Sequence, residues 1–419
     1  MATKNGFKQL SAFASLVLTL VALQISAPGC GKSEETTEST TTTTGSSSSE
    51  STASPTPSPS ITISTTAMVT RGGGWHSCAI ISGRVKCWGQ NLDGQLGDNS
   101  TDDASVPTTV SGLTSAVSVV NTGYENGCAV LTGTALCWGR NDLGQLGDNT
   151  AKTKVRPVQV TGLSSGVTDI SSGYQHTCAV HSGGAKCWGR NWEGQLGDNS
   201  SNLVSSTPVQ VTGMTTGVQG IASGIYHTCA MVNGAAKCWG ENEDGQLGNG
   251  TTTLSHVPVS VSGLTSDVTW IVSGWYHTCG LKNGAISCWG KNNKGQLGNG
   301  TIASSSTPVA VSGMNSGVTS IAAGEEHTCA VKDNGLYCWG DNTYGQIGDD
   351  TKTNRLTPVV VPDFASGLAN EATGAGRHHS CVLANEKVYC WGRNNRGQLG
   401  GIIGTDSKTP IEVSGILNP

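Results

Sequence analysis

His176-Thr177-Cys178-Ala179-Val180 begins the stretch of sequence that decides the fold. After a short polar turn the stretch continues as Ala185-Lys186-Cys187-Trp188-Gly189 and closes with Gly194-Gln195-Leu196-Gly197. The 419-residue chain carries seven such stretches, and their second cysteines are 50 to 52 residues apart. Internal repetition of this length is typical of propellers and solenoids, so it constrains the fold before any other signal.

A two-residue turn is expected midway between the two cysteines of each repeat, which are always nine residues apart. Five of the seven midpoints are x-Gly pairs such as Ser82-Gly83, and a two-residue hairpin loop needs such residues because its backbone takes positive φ. The cysteines then face each other as a non-hydrogen-bonded pair, with Cα atoms about 4.5 Å apart. We therefore predict one cross-strand disulfide per repeat, each stabilising the fold by roughly 2 to 3 kcal/mol.

The predicted pairs are Cys78 with Cys87, Cys128 with Cys137, Cys178 with Cys187, Cys229 with Cys238, Cys279 with Cys288, Cys329 with Cys338, and Cys381 with Cys390. The alternative is seven pairs of buried free thiols.

Four short β-type runs occupy each period, and in the third copy they are residues 157–160, 167–171, 176–180 and 185–189. No helical periodicity interrupts them. Seven four-stranded units without capping repeats predict an all-β, seven-bladed β-propeller over residues 61–419.

The chain ends are expected to meet at a shared blade. A proline-bearing run recurs in every repeat, and its seventh copy, Thr409-Pro410-Ile411-Glu412-Val413, lies at the C-terminus. The first hairpin has no good copy of this run before it. We therefore predict that the C-terminal strand closes the first blade. An alternative seam uses Ile61-Thr62-Ile63.

The first 29 residues resemble a bacterial lipoprotein signal peptide. Lys4 and Lys8 precede an apolar run that ends in Ala27-Pro28-Gly29-Cys30, so Cys30 is the predicted lipidated residue. Plain cleavage or an uncleaved anchor is the alternative, because proline is unusual at that position. Gly31 stands where an inner-membrane retention signal would have Asp, which favours the outer membrane.

Residues 30–60 are nearly all Ser, Thr, Glu and Pro and are predicted to form a disordered tether. The whole chain has 24 basic and 29 acidic residues, giving a net charge of −5 with no basic cluster. Binding of nucleic acid or anionic lipid is therefore disfavoured. No second apolar span of 18 residues follows the signal, so membrane contact is expected only through the lipid.

Most repeated residues have structural interpretations. The tryptophan of each Cys-Trp-Gly is expected to pack between neighbouring blades, and Asn191 with its equivalents to stabilise a turn. Six repeats have a histidine two residues before the first cysteine, with Asn126 in the second repeat. One histidine per blade cannot converge on a metal ion, so we expect a structural hydrogen bond. We predict no metal and no cofactor.

These repeats resemble those of the regulator of chromosome condensation family, whose unit reads roughly Gly-x-x-His-(Ser/Thr)-x-Ala-Leu and, after a turn, Trp-Gly-x-Asn-x-x-Gly-Gln-Leu-Gly. The similarity covers residues 66–415 and implies a seven-bladed propeller whose Gly-x-x-His corner lies on an exposed rim. The founding member is an exchange factor for a small GTPase, with a basic tail and a wedge inserted from one blade. This chain has neither feature, so exchange activity is only a remote alternative.

The two positions between Gly and His vary most among the repeats, and aromatic residues there are not needed for the hairpin. They run from the first to the fifth repeat and are followed by acidic and basic pairs. We predict an aromatic arc on one rim that binds a partner protein. The predicted partner-binding residues are Trp75, Tyr124, Tyr174, Tyr226, Trp275, Tyr276, Glu325, Glu326 and Arg377. Alternatively, these rings cover the rim's own apolar surface.

The repetition explains nearly every cysteine and histidine, which leaves no catalytic constellation for sequence to identify. We therefore expect a non-enzymatic, monomeric scaffold that binds an unknown envelope or extracellular protein. A carbohydrate or cell-wall binding module is the main alternative, because tryptophan and tyrosine also stack on sugars.

Overall fold

The computed structural model describes residues 67–69, 73–368 and 373–416, all of them in the unit from Ile61 to Pro419. In this part of the chain, 28 strands form seven four-stranded antiparallel sheets, and one short 3-10 helix, Pro362–Phe364, lies between the sixth sheet and the seventh. The seven-bladed propeller is confirmed. The predictions for residues 1–29, for Cys30 and the tether 30–60, and for the alternative seam 61–63 lie outside the described residues.

Each blade is built from four strands that are consecutive in the chain. The first blade contains β1 Ala67–Val69, β2 His76–Ile81, β3 Arg84–Gly89 and β4 Ala104–Thr109. The second contains β5 Val117–Thr122, β6 Asn126–Leu131, β7 Thr134–Gly139 and β8 Lys154–Gln159. The third contains β9 Val167–Ser172, β10 His176–His181, β11 Gly184–Arg190 and β12 Val204–Gln210.

The remaining blades repeat this order. The fourth contains β13 Val218–Ser223, β14 His227–Val232, β15 Ala235–Gly240 and β16 Ser255–Ser260. The fifth contains β17 Val268–Ser273, β18 His277–Lys282, β19 Ala285–Gly290 and β20 Ser305–Ala310. The sixth contains β21 Val318–Ala323, β22 His327–Lys332, β23 Gly335–Gly340 and β24 Arg355–Val360. The seventh contains β25 Thr373–Ala375, β26 His379–Ala384, β27 Lys387–Gly392 and β28 Ser407–Glu412.

The hairpin and its disulfide are confirmed in every blade. Cys178 lies opposite Cys187 in the register of β10 and β11, and the turn residues Ser82 and Gly83 have φ of 50° and 77°. All seven predicted pairs are bonded, with Cα atoms 4.0 to 4.1 Å apart. The disulfide therefore clamps the two middle strands of each blade.

The proline-bearing strand ends a blade and does not begin one. β8, which contains Pro157, pairs with β7 of the second blade, whereas the repeat comparison grouped it with β9 to β11. Proline lacks an N–H group, so it is tolerated at the outer edge of a sheet, where no further strand needs a donor. The blade boundary therefore lies after this strand.

The predicted shared blade is wrong. The C-terminal strand β28 pairs with β27 in the seventh blade, and the first blade obtains its innermost strand from β1. β1 has only three residues and lacks the Val-x-x-Ile or Val-x-x-Val pattern that begins the innermost strands of the second to sixth blades, so sequence comparison did not identify it. Because each blade is complete from local sequence, side chains close the ring between the first and seventh blades.

The hydrophobic core consists of seven wedges, each between two neighbouring blades. In one wedge, Cys178 and Cys187 of the third blade pack with Leu196 against Ile221 and Trp239 of the fourth. The corresponding cluster of Cys381, Cys390 and Leu399 with Ala79 and Trp88 closes the ring. The seven tryptophans are fully buried, which confirms their predicted place between blades.

One main-chain carbonyl joins each pair of neighbouring blades. The glutamine of every Gly-Gln-x-Gly turn accepts a hydrogen bond from the indole N–H of the next blade's tryptophan, at 2.8 to 2.9 Å. In six of the seven joints it also accepts from a buried Ser or Thr hydroxyl of that blade, at 2.8 to 3.0 Å. Both lone pairs of the carbonyl are then used.

The buried histidines extend this joint. His176 Nε2 lies 3.0 Å from Thr228 Oγ1 of the next blade, and that hydroxyl donates to the carbonyl of Gln195. Since the hydroxyl proton is already committed, His176 Nε2 must carry a hydrogen and donate. Burial lowers the pKa of His176 to about 3, so the ring is neutral. His227, His277, His327 and His379 make the same contact, which confirms the structural role.

The joint between the first and second blades keeps the indole hydrogen bond but lacks the hydroxyl. Gly127 replaces the hydroxyl residue there, and neither ring nitrogen of His76 has a hydrogen-bond partner among the described residues. A side chain at Gly127 would meet Trp138, whose ring lies 2.6 Å from the ideal Cβ position. The tryptophan therefore takes the space that a hydroxyl residue fills in the other joints.

Thr228→Val should test the relay. It removes one hydroxyl and leaves the His176 N–H unpaired in a buried site, so we expect the free energy of unfolding to fall by about 2 to 4 kcal/mol. Denaturant unfolding with intact disulfides is the measurement. Thr228→Ser is the matched control, because serine occupies this place at Ser77 and Ser380, and it should cost only about 1 kcal/mol. Equal losses for the two variants would contradict the relay.

The disulfides can be counted directly. We expect alkylation of the purified, unfolded but unreduced protein to label none of the fourteen propeller cysteines, and alkylation after reduction to label all of them. Mass spectrometry of the tryptic peptides gives the count. Free thiols in the unreduced sample would show that the blades are not clamped in this way.

Candidate functional site

The Gly-x-x-His corners converge at one end of the central channel, because each joins the innermost strand of a blade to its second strand. Their seven glycines line a cavity of about 30 Å³. A Cβ at Gly224 would lie 2.2 Å from the ring of its own His227 and 2.7 Å from the carbonyl oxygen of Gly274. Glycine is therefore required for the corners to approach each other this closely, and the two variable residues are carried over the channel mouth.

The predicted aromatic residues do come together, but they form a cap over the channel mouth and not an arc on the rim. The ring centroids of Tyr124 and Tyr174 are 4.7 Å apart, and those of Tyr174 and Tyr226 are 5.8 Å apart. Tyr124 of the second blade also meets Trp275 of the fifth, at 5.6 Å. Contact between blades that are not neighbours is possible only over the axis, so the arc is corrected to a cap.

Arg377 lies at the centre of the cap. Its guanidinium carbon is 4.6 Å from the ring centroid of Trp75, 4.7 Å from that of Trp275 and 5.6 Å from that of Tyr124. It also donates to Glu325 at 2.8 Å and to the hydroxyl of Tyr124 at 3.1 Å. One side chain thereby links five of the seven blades through cation–π contacts and hydrogen bonds.

His378 belongs to the same cluster. Its ring centroid lies 5.6 Å from that of Trp75 and 5.0 Å from that of Tyr344, and its Nε2 atom is 3.1 Å from Glu325. Burial and the nearby Arg377 lower the pKa of His378 to about 3. The imidazole is therefore neutral, and its contact with Glu325 is not an ion pair.

Tyr276 and Glu326 lie at the edge of the cap. The ammonium of Lys291 is 4.6 Å from the ring centroid of Tyr276 and 2.9 Å from Glu326. Burial, with nearby Tyr226 and acidic groups, raises the pKa of Tyr276 to about 12. Every predicted partner-binding residue is half-buried, so these side chains also cover one another, as the alternative interpretation expected.

A second ring of variable residues surrounds the cap, and sequence comparison missed it. It is the position after each Trp-Gly, occupied by Gln90, Arg140, Arg190, Glu241, Lys291, Asp341 and Arg393. The signal was a position that is mostly charged, with either sign, between residues that never change. Together with the corner residues and the two residues after each turn asparagine, this ring forms a surface that we call the channel-mouth face.

The second ring contacts the cap. Arg393 lies over Trp75 at 4.5 Å and over Tyr344 at 4.4 Å, and its guanidinium donates to the Tyr344 hydroxyl at 3.0 Å. Arg140 forms an ion pair with Glu125 of its own blade. These contacts hold the variable residues in defined positions on the face.

The turn chemistry predicted for the asparagines is confirmed. Asn191 Oδ1 accepts from the backbone N–H of Leu196 at 3.0 Å, and Gln195 Oε1 accepts from that of Glu193 at 3.0 Å. These bonds hold the turn whatever occupies the two positions after the asparagine. Among the described residues, Trp192 at one of these positions is the one exposed tryptophan, with 53% of its surface accessible.

Glu241 has an unusual environment. Its carboxylate lies near those of Glu193, Glu243 and Asp244, and its Oε2 atom is buried without a hydrogen-bond partner among the described residues. Burial and these three carboxylates raise the pKa of Glu241 to about 7, although Arg190 opposes the effect. This carboxyl group therefore changes charge near neutral pH.

A larger cavity lies deeper in the channel. It has a volume of about 340 Å³ and is lined mainly by the innermost strands of the second to fifth blades, including Val119, Asp169 and Trp270, and by Met231 of β14. Asp169 Oδ2 accepts from the backbone N–H of Ile221 in the next blade, at 3.1 Å. This carboxylate therefore helps to join two blades at the channel wall.

Among the residues that the structure describes, no group of three or more His, Cys, Asp or Glu side chains is arranged to hold a metal ion. In the same part of the chain, no helix has the length and apolarity needed to cross a membrane.

A family model for the regulator of chromosome condensation (RCC1) repeat matches six consecutive segments. They are residues 82–130, 132–180, 183–231, 233–281, 283–331 and 333–383. A second model of the same description matches residues 167–195, 268–296, 318–346 and 372–398. No curated protein sequence gives a significant match.

Solved propellers share the fold. Yeast RCC1 (Prp20), in a structure with Kap60 bound, is 20% identical over 80% of this chain and 84% of that chain, with a TM-score of 0.69. Prp20p from Saccharomyces cerevisiae in another structure is 22% identical over 80% and 86%, with a TM-score of 0.68. Human WBSCR16 is 21% identical over 79% and 94%, with a TM-score of 0.69. At these identities the similarity concerns the fold.

Glu241→Gln should change how stability depends on pH. Because the pKa of Glu241 is raised from 4.5 to about 7 on folding, the folded state binds more protons than the unfolded state between these values. The free energy of unfolding of the wild type should therefore fall as pH rises through this window. At pH 8 the variant should be more stable by on the order of 1 kcal/mol, a figure that allows for solvent screening.

The measurement is denaturant unfolding at pH 4 and pH 8, and at pH 4 the two proteins should be equally stable. Glu386→Gln is the control for the substitution itself, since this exposed side chain lies on a hairpin at the other end of the strands. A constant difference between wild type and Glu241→Gln at both pH values would contradict the assignment.

Proposed function

The chain belongs to the regulator of chromosome condensation repeat family, and we propose that it is a binding protein whose channel-mouth face contacts a partner protein at the bacterial cell envelope. The contact would centre on the cap and include the nine partner-binding residues predicted from sequence. The proposal is one of binding and not of catalysis.

The observation that carries the proposal is where the repeats differ. Disulfides, tryptophans and turn residues recur in all seven blades, whereas the cap and the second ring change from blade to blade. The scaffold does not need these differences, because the turns and corners are held by bonds that every blade makes. Variation confined to one face of a rigid scaffold supports selective recognition.

From the fourth blade to the seventh, the charges of the face alternate by blade, which favours a protein partner. The variable positions are acidic on the fourth blade at Glu241, Glu243 and Asp244, basic on the fifth at Lys291 and Lys294, acidic on the sixth at Glu325, Glu326 and Asp341, and basic on the seventh at Arg377, Arg393 and Arg396. A protein surface with matching charges would be steered and oriented by this pattern.

The disulfides agree with an exported protein. Seven cross-strand disulfides are typical of an oxidising compartment and uncommon in the cytosol. We propose that a lipid on Cys30 holds the chain at the outer membrane and that residues 30–60 tether the propeller away from the lipid surface.

A carbohydrate or cell-wall module is the second candidate. It is favoured by the exposed indole of Trp192, because sugars stack on exposed aromatic rings. The cap itself does not favour it, since its rings are half-buried against each other. Retention of the protein by sedimented peptidoglycan, reduced by Trp192→Ala, would support this candidate over a protein partner.

The double variant Trp275→Ala with Tyr276→Ala tests the binding face. We expect cross-linking to a specific envelope protein to fall at least tenfold, because ring anchors near the centre of an interface contribute most of the affinity. The melting temperature should fall by several degrees, since ring and cation–π contacts with Tyr124 and Arg377 are lost.

Arg84→Ala, on an exposed hairpin at the other end of the strands, is the control and should leave cross-linking unchanged. Unchanged cross-linking by the double variant, together with a lowered melting temperature, would show that the cap has only a structural role.

A further inference from the structure

The third blade carries an exposed indole that is held in place from one side. The guanidinium carbon of Arg190 is 4.3 Å from the ring centroid of Trp192 and 4.0 Å from that of Tyr226. Arg190 also donates to Glu193 at 2.7 Å. The ring of Trp192 is therefore fixed by a cation–π stack while 53% of its surface faces solvent. An anchor that is already ordered loses little conformational entropy on binding.

The turn itself does not require a tryptophan at this position. Its equivalents in the other six blades are Leu92, Asp142, Glu243, Asn293, Thr343 and Asn395. The same asparagine and glutamine bonds hold the turn in these blades, for example from Leu96 to Asn91 and from Asp93 to Gln95. A large exposed ring that the scaffold does not need indicates a contact with another molecule.

The surroundings of Trp192 are acidic. Glu193 follows it in the turn, and Glu241, Glu243 and Asp244 belong to the neighbouring fourth blade. The turn abuts the start of β16, since a Cβ at Gly194 would lie 2.8 Å from His256 Cα.

Other charged and titratable groups face this acidic group from each side. Arg190 already binds Glu193, Lys291 of the fifth blade faces Asp244, and Tyr276 lies near Glu241. The Oε2 atom of Glu241 is buried and has no hydrogen-bond partner among the described residues. A cation supplied from outside would offset the repulsion between Glu241 and these neighbouring carboxylates.

We propose that the partner protein docks on the third and fourth blades with a segment in which a lysine or arginine lies next to an aliphatic side chain. The aliphatic group packs on the indole of Trp192, and the cation binds Glu241 and its neighbouring carboxylates. This inference rests on the proposed function, names the chemistry of the partner, and places the main anchor beside the cap and not within it.

The probe is a fluorescein-labelled, N-acetylated 12-residue peptide of alternating lysine and leucine, and the comparison peptide has glutamate in place of lysine. Fluorescence anisotropy with the full-length protein in detergent measures the dissociation constants at pH 8. Trp192→Ala and Glu241→Gln are the test variants. Leu92→Ala is the matched control, because Leu92 occupies the equivalent position of the first blade and is 59% exposed.

We expect the basic peptide to bind and the acidic peptide not to bind. Trp192→Ala should weaken binding at least tenfold, and Glu241→Gln about three- to tenfold. Leu92→Ala should change binding less than twofold. Binding to the wild type should weaken between pH 8 and pH 6 as Glu241 becomes protonated, and Glu241→Gln should lose this dependence. Equal binding of the two peptides, or equal effects of Trp192→Ala and Leu92→Ala, would overturn the inference.

Envelope cross-linking with the same variants separates this inference from the proposed function. If capture of the partner needs Trp275 and Tyr276 but not Trp192, the proposed function stands and the inference falls. If capture needs neither site, both fall. If Trp192→Ala abolishes capture and Leu92→Ala does not, both are supported.

Discussion

The carbonyl oxygen of one glutamine in each turn is the contact on which the propeller depends. It is the point where a buried indole N–H and, in six joints, a buried hydroxyl of the next blade are satisfied. Without this acceptor, the largest side chain of each wedge would place a polar group in an apolar core with no partner, which is costly. The same bond joins the seventh blade to the first, from Trp88 to Gln398, so the ring closes without a shared strand.

This division of roles leaves one face available for variation. The disulfide clamps the middle strands, the glutamine joint holds neighbouring blades, and glycine brings the corners together over the channel. None of these contacts involves the residues between Gly and His, or the two positions after the turn asparagine. Those positions can change without loss of the scaffold, and they carry the cap, the alternating charges and the exposed Trp192.

The cap shows how the same residues can serve structure and recognition. Arg377 touches side chains of distant blades, and the rings around it are half-buried, so part of their binding capacity is already used within the protein. The most exposed aromatic side chain of this face, Trp192, lies beside the cap. In protein interfaces a few residues contribute most of the binding energy. A rigid cap with the exposed Trp192 beside it agrees with that pattern.

Sequence alone determined the blade count, the hairpins, the disulfides and the buried tryptophans. The blade count follows from the number of repeats, and the other features follow from residue spacing within one repeat, where contacts are local. It did not reveal that β1 completes the first blade, since three residues without the repeat pattern give no local signal. It also placed the aromatic residues in an arc, whereas Tyr124 and Trp275 meet across the axis. Only the tertiary structure decided such contacts, because the distance between blades two and five depends on how the whole ring closes and not on any single repeat.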